Sequence, residues 1–410
     1  MNDAHEIILV KISGEDRPGL TSTLTSILAR YNATILDIGQ SDIHNSISLG
    51  ILFKSAQSDS GPIIKDILFE MNNLGVGVRF DPVSDEEYMK WVSMQGKNRY
   101  IVTLLGRKIS SNLISRVAGI TAASGLNIDS ITRLTGRIPL DESKSQAKAC
   151  VELSVRGNLT PEDREKVHME FGKISRDLGY DISFQEENLF RRNRRLVCFD
   201  MDSTLVETEC IDQLAERAGV GDQVRAITES AMRGEIDFKE SFTRRVALLK
   251  GLDASVMQEI AENLPITEGA DRLIRILKQY GYKIAILSGG FTYFGNYLKN
   301  KFGIDYVYAN DLEIGPDGKL TGNYVGDIVD GRRKAEMLRL IAQMENINLQ
   351  QVIAVGDGAN DLPMLNIAGL GIAYHAKPKV KENAQQSISA IGLDGILYLL
   401  GFKDSYIESK

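Results

Sequence analysis

The sequence has little of what would tie a fold together covalently or through zinc. Its 410 residues include three cysteines, Cys150, Cys198 and Cys210, an odd number without a CxxC pair. Disulfide frameworks and structural zinc sites need paired cysteines, so neither is expected. The chain also lacks an apolar stretch approaching the ~18 residues of a membrane-spanning helix, so no membrane partner is expected.

Positive charge is not in excess either. Lysine and arginine number 48 against 55 aspartates and glutamates, a net charge of −7, which gives no electrostatic reason to bind nucleic acid. The start, MNDAHEIILVK, contains acids and breaks its apolar run at Lys11, unlike a signal peptide, so a cytoplasmic protein is expected. At roughly 150 residues per domain, the length indicates two to three domains.

The first 190 residues contain one pattern twice. Each copy has the order β-α-β-β-α-β, and two landmarks, Gly14 with Gly106 and Asp37 with Asp129, repeat at an offset of 92 positions. A shared offset within the same order of elements indicates duplication. The order is typical of a ferredoxin-like sandwich, which we predict for residues 1–90 and 96–187.

Two details of this half carry expectations of their own. A helix is expected from about Pro62 to Leu74, because proline is favoured in the first turn of a helix. The segment 188–195, NLFRRNRR, holds four arginines and is expected to be a solvated linker; a nucleic-acid patch is disfavoured in so short a run on an acidic chain.

From Leu196 onward short apolar strands alternate with helical patterns, which implies a parallel sheet covered on both faces. We therefore predict an α/β fold with a Rossmann-like core over residues 196–410. Residues from about 210 to 266 have an almost entirely helical pattern and are expected to form a cap over the carboxyl edge of the sheet. The turn Pro316-Asp317-Gly318 predicts a hairpin between 312 and 326.

The most informative segment places Asp200 and Asp202 directly after an apolar strand, RLVCFDMDST. Ligands bind at the carboxyl ends of strands in open α/β sheets. Two acids this close repel each other unless a cation or a shared proton lies between them, and Mg²⁺ favours such oxygen ligands. Taken alone, the pair could also be an ordinary helix N-cap.

Two further polar turns follow strands. Ser288-Gly289-Gly290 could expose backbone N–H groups to an anion, or could be a serine cap on a flexible turn. Gly356-Asp357-Gly358-Ala359-Asn360-Asp361 could aim Asp357 and Asp361 at the same sheet edge, or could be a solvated turn. Because the three turns all follow parallel strands, we expect them to converge.

A basic cluster, Arg332, Arg333 and Lys334, stands at the start of a predicted helix. Cations at this end oppose the helix dipole, which suggests an anionic partner. Spacing alone does not single out Lys334 from its neighbours, and a surface cluster is the plainer alternative.

Together the three turns and Lys334 resemble the four motifs of the haloacid dehalogenase superfamily of phosphatases. The segments FDMDSTLVETECID, MRGEIDFKESFTRRVALLKG, SGGF and VGDGANDLPML are most similar to its phosphoserine phosphatases. The two amino-terminal units resemble tandem ACT domains, since Asp16-Arg-Pro-Gly-Leu20 matches their turn before the first helix. The second unit departs from this signature, reading Arg107-Lys-Ile-Ser-Ser111 where the first reads Glu15-Asp-Arg-Pro-Gly19.

The resemblance implies hydrolysis of O-phospho-L-serine to L-serine and phosphate, the last step of phosphorylated serine biosynthesis. It implies Asp200 as the nucleophile that forms an aspartyl-phosphate and Asp202 as the general acid and base. Mg²⁺ would be held by Asp200, the Asp202 carbonyl and Asp357, with Asp361 in support. The phosphoryl oxygens would be bound by Ser288, the Gly289 amide and Lys334, with Asn360 bordering the substrate.

The cap is expected to choose the substrate. By the same resemblance Arg245 would take the serine carboxylate and Glu209 the ammonium, while Met232 and Phe238 help to exclude water. Judged on the residues alone, Arg245 could extend its guanidinium to solvent, and Phe238 and Met232 could be plain core.

The ACT-like half is expected to form part of a homodimer and to bind an amino acid, most plausibly serine, near Asp16 to Leu20. The alternative is that it only dimerises the enzyme. Two other functions compete: a phosphatase for a different phosphomonoester, and an amino-acid-binding regulator with an inactive phosphatase domain. The complete acid set Asp200, Asp202, Asp357 and Asp361 disfavours the second.

Overall fold

The first repeat is a four-stranded antiparallel sheet with two helices on one face. The computed structural model describes residues 4–93, 96, 98–137 and 147–407, and it divides into two compact units, Met1–Lys97 and Asn98–Lys410. In the first unit the strand order is β2-β3-β1-β4, and α1 and α2 pack on the face that carries Ile8, Val10 and Ile12. Its elements are β1 (His5–Glu15), α1 (Leu20–Arg30), β2 (Thr34–Ile43), β3 (Ser46–Ala56), α2 (Gln57–Asn73), β4 (Gly77–Val83) and α3 (Asp85–Ser93).

The second repeat, in the second unit, has the same topology. Its sheet order is β6-β7-β5-β8, the equivalent of the order in the first repeat. Gly14 and Gly106 occupy equivalent positions in the two repeats. A Cβ on Gly14 would overlap Val76 and a Cβ on Gly106 would overlap Tyr180, and each of these residues directly precedes the last strand of its repeat. The predicted duplication and the ferredoxin-like order are confirmed. The elements are β5 (Arg99–Gly106), α4 (Ser111–Ala123), β6 (Asn127–Arg133), β7 (Ala149–Arg156), α5 (Pro161–Leu178) and β8 (Asp181–Glu186).

The α/β region forms a seven-stranded sheet in the order β12-β11-β10-β9-β13-β14-β15, parallel except for the β11–β12 hairpin, as predicted. Helices cover both faces and two apolar cores result. The strands are β9 (Leu196–Phe199), β10 (Lys283–Phe291), β11 (Tyr306–Ile314), β12 (Leu320–Val325), β13 (Val352–Gly356), β14 (Leu370–Tyr374) and β15 (Gln386–Ile388). The helices outside the cap are α10 (Ala270–Gln279), α11 (Thr292–Phe302), α12 (Gly331–Met344), α13 (Leu362–Ile367), α14 (Pro378–Asn383), α15 (Gly395–Leu399) and α16 (Asp404–Ile407).

Four helices between β9 and α10 form the cap. The chain enters and leaves the cap through two short segments, residues 205–207 and 265–267, which pair with each other. Glu207 N donates to the Pro265 oxygen at 2.9 Å, and Thr267 N donates to the Leu205 oxygen at 3.0 Å. We call this pair of segments the cap hinge. The cap helices are α6 (Cys210–Ala218), α7 (Gly221–Met232), α8 (Phe238–Ala247) and α9 (Val256–Glu262).

The second repeat and the α/β region share one apolar core. Leu105, Leu134 and Cys150 of the repeat are buried in the same cluster as the helices and strands that follow. Polar groups join the two as well: the buried Asp181 carboxylate accepts the backbone N–H groups of Ser389 at 2.8 Å and Ala390 at 2.7 Å. We call this shared surface the seam.

Two local expectations are wrong. Pro62 lies inside α2, which begins at Gln57; the carbonyl that loses its helical partner is that of the exposed Ser58, where water can replace the bond. The segment 188–195 is not simply a solvated connector, because Arg191 is 2% exposed and pairs with Glu152, and buried Arg194 donates to the Gln350 oxygen. Buried guanidinium groups need such partners.

Across the described residues, every helix is too short or too polar to cross a lipid bilayer.

Candidate active site

The predicted polar turns meet at the carboxyl edge of three neighbouring strands. Asp200 follows the central strand β9, Ser288 lies near the end of β10, and Asp357 follows β13. Since β10 and β13 flank β9 on either side, the three turns face one crevice. This convergence is the one expected from the sequence.

Asp200 is buried and held in one orientation. Its Oδ1 accepts a hydrogen bond from Met201 N at 2.8 Å and lies 2.8 Å from Lys334 Nζ. The two interactions engage the same oxygen, so Oδ2 is the oxygen of this carboxylate left available for a ligand.

Lys334 enters the site from the first turn of α12 and is fully buried between two acids. Its Nζ also lies 2.7 Å from Asp361 Oδ1. Burial by itself would lower the pKa of Lys334, but the charges of Asp200 and Asp361 raise it. Lys334, and neither of the neighbouring arginines, is the cation in the site: Arg332 and Arg333 both pair with Glu336.

Three carboxylates form a cluster that could hold a metal ion. Ligand oxygens of Asp200, Asp357 and Asp361 lie within 4.8 Å of one another. Burial, followed by the charge of Asp200, raises the pKa of Asp357 to about 8 and that of Asp361 to about 7, although Lys334 acts against both shifts. One ammonium does not balance three ionised carboxylates, so their full ionisation is opposed by mutual repulsion, which a bound cation would relieve.

Asp202 lies beside this cluster with a different environment. Its Oδ1 accepts the Cys210 N–H at 3.0 Å, and its Oδ2 lies against Gly290, so closely that a Cβ there would overlap it. Burial, then the charge of Glu209, raises the pKa of Asp202 to about 7. A carboxyl of this pKa can both give and take a proton near neutral pH.

The Ser288-Gly289-Gly290 turn is fixed by a residue that sequence reasoning missed. Buried Asn310 donates through Nδ2 to the Gly289 oxygen at 2.8 Å and accepts the Val329 N–H at 2.8 Å. Ser288, also buried, accepts the Gly290 N–H at 2.9 Å. The signal for Asn310 is present in the sequence, because it follows the predicted strand Tyr306 to Ala309 just as the other site residues follow theirs.

Asn360 borders the same crevice. It is half-buried, and its backbone oxygen lies only 2.4 Å from the point that a Cβ on Gly331, the first residue of α12, would occupy. The turn that carries Asp357 and Asp361 therefore packs directly against the helix that carries Lys334. Thr204, a further residue that sequence reasoning missed, is buried and directs Oγ1 toward Asp357 Oδ1 at 3.5 Å.

The cap supplies a cation and an acid. Arg245 on α8 is half-buried and, among the described residues, forms no ion pair; its Nε donates one long hydrogen bond, 3.4 Å, to the Ser241 oxygen. Burial lowers the pKa of Arg245, and the negative charges of Glu209 and Asp212 oppose the shift. Glu209 is open to solvent at its surface and accepts Ser203 Oγ at 2.8 Å. Desolvation by the surrounding protein raises the pKa of Glu209, and the charge of Asp200 adds to this effect.

The two apolar cap residues differ in position. Phe238 is half-buried and reaches the Ser288-Gly289-Gly290 turn, since its ring lies 3.0 Å from where a Gly289 Cβ would be. Met232 is 67% exposed and ends α7; its Sδ lies 3.6 Å from Lys377 Nζ, in the loop after β14. The structure therefore brings Phe238, but not Met232, into contact with the predicted site residues.

Comparison with known proteins agrees with this geometry. Residues 194–369 match the haloacid dehalogenase-like hydrolase family and residues 6–81 match the ACT domain. A phosphoserine phosphatase of Streptomyces coelicolor is 39% identical over 98% of this chain and 94% of its own, and one of Mycobacterium tuberculosis is 37% identical over 98% and 95%. A solved haloacid dehalogenase family hydrolase of Salmonella enterica serovar Typhi is similar over 73% of this chain and 98% of its own, with a TM-score of 0.61 and 31% identity.

Proposed function

The chain belongs to the phosphoserine phosphatase family of haloacid dehalogenase-like hydrolases, and from this membership we propose that it hydrolyses O-phospho-L-serine to L-serine and phosphate. The reaction would complete phosphorylated serine biosynthesis in the cytoplasm. The single observation that supports the choice of substrate is that the site offers both a cation and an acid to an amino-acid head group. Arg245 is a half-buried guanidinium without an ion-pair partner among the described residues, and the exposed carboxylate of Glu209 lies near enough to Asp200 for their charges to interact.

The acidic cluster fits Mg²⁺. Its donors are all carboxylate oxygens, the ligands that this hard cation prefers, and a cation would relieve the repulsion between them. Asp200, Asp357 and the Asp202 carbonyl would hold the ion, with Asp361 in support. When bound, it would offset the repulsion between the carboxylates and the phosphate dianion.

In the first step Asp200 is the nucleophile. With Oδ1 engaged by Lys334 and Met201 N, Oδ2 attacks phosphorus, a bond forms between Oδ2 and phosphorus, and the bond between phosphorus and the serine Oγ breaks. Asp202 in its protonated form gives its proton to that oxygen, so serine leaves as the neutral alcohol. The raised pKa of Asp202 supports this role, because a fraction of the carboxyl is protonated at neutral pH.

In the second step Asp202, now ionised, accepts a proton from water while the water oxygen attacks phosphorus and releases Asp200. Lys334, Ser288 Oγ and the Gly289 N–H hold the phosphoryl oxygens in both steps. The burial of Lys334 and Ser288 supports electrostatic stabilisation, which acts most strongly away from water.

The cap residues select the amino-acid head group. The serine carboxylate pairs with Arg245 and its ammonium with Glu209, while Phe238 closes over Gly289. Met232 would line the pocket only if the cap were closer to the core than it is in this structure.

A substrate panel tests the proposal. The wild-type chain should hydrolyse phosphoserine with a higher kcat/KM than phosphothreonine, phosphoethanolamine or phenyl phosphate. Arg245→Met removes the guanidinium and should lose about 10- to 150-fold in kcat/KM for phosphoserine, the effect of one charge-assisted hydrogen bond of 1.5–3 kcal/mol. Phosphoethanolamine has no carboxylate and should lose much less. The matched control is Arg244→Met, since Arg244 pairs with Glu240 on the exposed side of the same helix.

The main competing function is a phosphatase for another phosphomonoester. It predicts a different preferred substrate in the panel and equal losses on phosphoserine and phosphoethanolamine for Arg245→Met. Either result would contradict the phosphoserine proposal while leaving the aspartyl-phosphate mechanism intact.

We also infer that the first repeat binds serine near residues 16–20 and contributes to a homodimer. The turn there is preformed: Gly19 has a left-handed backbone, φ 100°, and Asp16 N donates to the Asn45 oxygen at 2.8 Å. Calorimetry should detect a second serine site on the full chain that is absent from a chain beginning at Asn98. Sedimentation should give the mass of a dimer for the full chain and the mass of a monomer for the shortened one. A single serine site that competes with phosphoserine would refute the regulatory inference.

A further inference from the structure

The second repeat forms a two-bond ion pair with Glu268, the residue that directly follows the cap hinge. Arg107 donates from Nη1 to Glu268 Oε1 at 3.0 Å and from Nη2 to Glu268 Oε2 at 2.7 Å. Glu268 directly follows hinge residue Thr267, so this bidentate pair holds the point at which the chain returns from the cap to the core. A two-bond guanidinium–carboxylate pair fixes orientation as well as distance.

The position of Arg107 in the repeat is informative. With the offset of 92 residues, Arg107 is the equivalent of Glu15 in the first repeat, at the start of the turn that resembles an ACT ligand loop. Glu15 pairs with Arg17, two residues further along its own loop, at 2.7 Å. In the second repeat the charge at this position is reversed, and the loop pairs with the cap hinge instead of with itself.

The groups around Glu268 make this return point rigid. Its backbone oxygen accepts the Leu393 N–H at 2.7 Å, and a Cβ on the next residue, Gly269, would overlap the Asp394 carboxylate. Asp394 is fully buried and lies 2.6 Å from Lys148 Nζ of the second repeat and 3.0 Å from Arg272 Nη1. Lys148 Nζ also lies 3.7 Å from Glu268 Oε1, so the second repeat places two cations at the end of the hinge.

Attachment of the repeat does not depend on Arg107. The shared apolar core and the hydrogen bonds to Asp181 already join the two parts away from the hinge, whereas the Arg107 and Glu268 side chains are 39% and 38% exposed. We propose that Arg107 and Glu268 are positioning residues, through which the second repeat sets the position of the cap over the acidic cluster.

The consequence for catalysis rests on the proposed function. The cap carries Arg245, Glu209 and Phe238, whereas Lys334 and Ser288, which would hold the phosphoryl group, belong to the core. Loosening the hinge should therefore weaken binding of the head group and raise KM, with little change in kcat. An ion pair of this exposure contributes up to about fivefold to an equilibrium, which sets the scale of the effect.

The experiment compares full-length Arg107→Met with a matched control, Arg116→Met. Arg116 belongs to the same repeat and forms a surface pair with Asp177 at 2.8 Å, and Asp177 lies on α5, outside the hinge segments. Hydrogen exchange of the Glu207 and Thr267 amides should be about three- to fivefold faster in Arg107→Met and unchanged in Arg116→Met. KM for phosphoserine should rise by a similar factor in Arg107→Met alone, with kcat within twofold of wild type.

A conservative variant separates positioning from plain loss of a residue. Arg107→Lys keeps the cation but cannot form the two-bond pair with Glu268, so its hinge exchange and KM should lie between those of Arg107→Met and wild type. The inference is overturned if Arg107→Met and Arg116→Met behave alike, or if Arg107→Met lowers only the melting temperature. Faster hinge exchange in a chain that does not hydrolyse phosphoserine would support the positioning role and refute the proposed function.

Discussion

Two adjacent glycines near the end of β10, Gly289 and Gly290, should differ strongly in how much activity they lose when each is changed to alanine. A methyl group at Gly290 would overlap Asp202 Oδ2, so the carboxylate would have to move by about 1 Å to reach ordinary van der Waals separation. A methyl group at Gly289 would meet the end of the Phe238 ring at 3.0 Å, and that ring lies on the cap. Neither glycine has a left-handed backbone, so alanine adds no conformational strain at either position.

The expected loss for Gly290→Ala follows from the role of Asp202. General acid catalysis contributes about 10²–10⁴-fold, and a displacement of 1 Å can remove about 10² of it. We expect kcat/KM for phosphoserine to fall at least 100-fold, or about 2.7 kcal/mol of transition-state stabilisation. Gly289→Ala should change kcat/KM less than about tenfold, mainly through KM, because the aromatic ring can rotate or the cap can shift.

The assay uses two leaving groups. Serine leaves as a strongly basic alkoxide unless it is protonated, whereas p-nitrophenolate leaves readily without a proton. Since kcat/KM reports the first irreversible step, Gly290→Ala should lose far less on p-nitrophenyl phosphate than on phosphoserine. Equal losses on both substrates would refute the assignment of Asp202 as the acid, and equal losses for the two glycine variants would refute the argument from their neighbours.

Three other predictions concern buried charges. Asp200→Asn should lower phosphate release at least about 10⁴-fold with an unchanged circular dichroism spectrum, and turnover in this variant would exclude Asp200 as the nucleophile. Lys334→Met leaves the buried carboxylates of Asp200 and Asp361 without their cation and should cost about 3 kcal/mol of unfolding free energy, measured in urea with a chelator present, as well as activity. Burial raises the pKa of Asp181 to about 6 from 3.8, so the folded state binds this proton more tightly; its contribution of about 3 kcal/mol is present below about pH 4 and is lost as pH rises through 6. Asp181→Asn does not titrate, so the stability gap between wild type and variant should shift by that amount between pH 4 and 7, and a constant gap would contradict the assignment.

The sequence predicts well those features that depend on local pattern. Apolar runs that end in polar turns identified the strands that carry Asp200, Ser288 and Asp357, because a parallel sheet brings such ends to one edge. The repeat was visible for a similar reason: glycine recurs where the last strand of each copy approaches the first.

Features that depend on distant partners were not predictable in the same way. Arg191 and Arg194 look like solvated residues until Glu152 and the Gln350 oxygen are seen beside them. Strand β15 has only three residues, too few for a periodic signal, and it is recognisable as a strand through pairing with β14. The family resemblance assigns Met232 to the pocket, but its side chain is exposed in the structure, because local sequence pattern does not specify how near the cap lies to the core.

The seam also limits where the chain could be divided into parts that fold separately. A recombination event within residues 188–195 would deliver an α/β region whose core has lost Leu105, Leu134 and Cys150. The newly uncovered apolar patch and the exposed edge of β15 are the two surfaces that most favour aggregation. A break before Asn98 coincides instead with the division between the two compact units. The second repeat is therefore part of the α/β region's folded core and cannot be removed as a separate module.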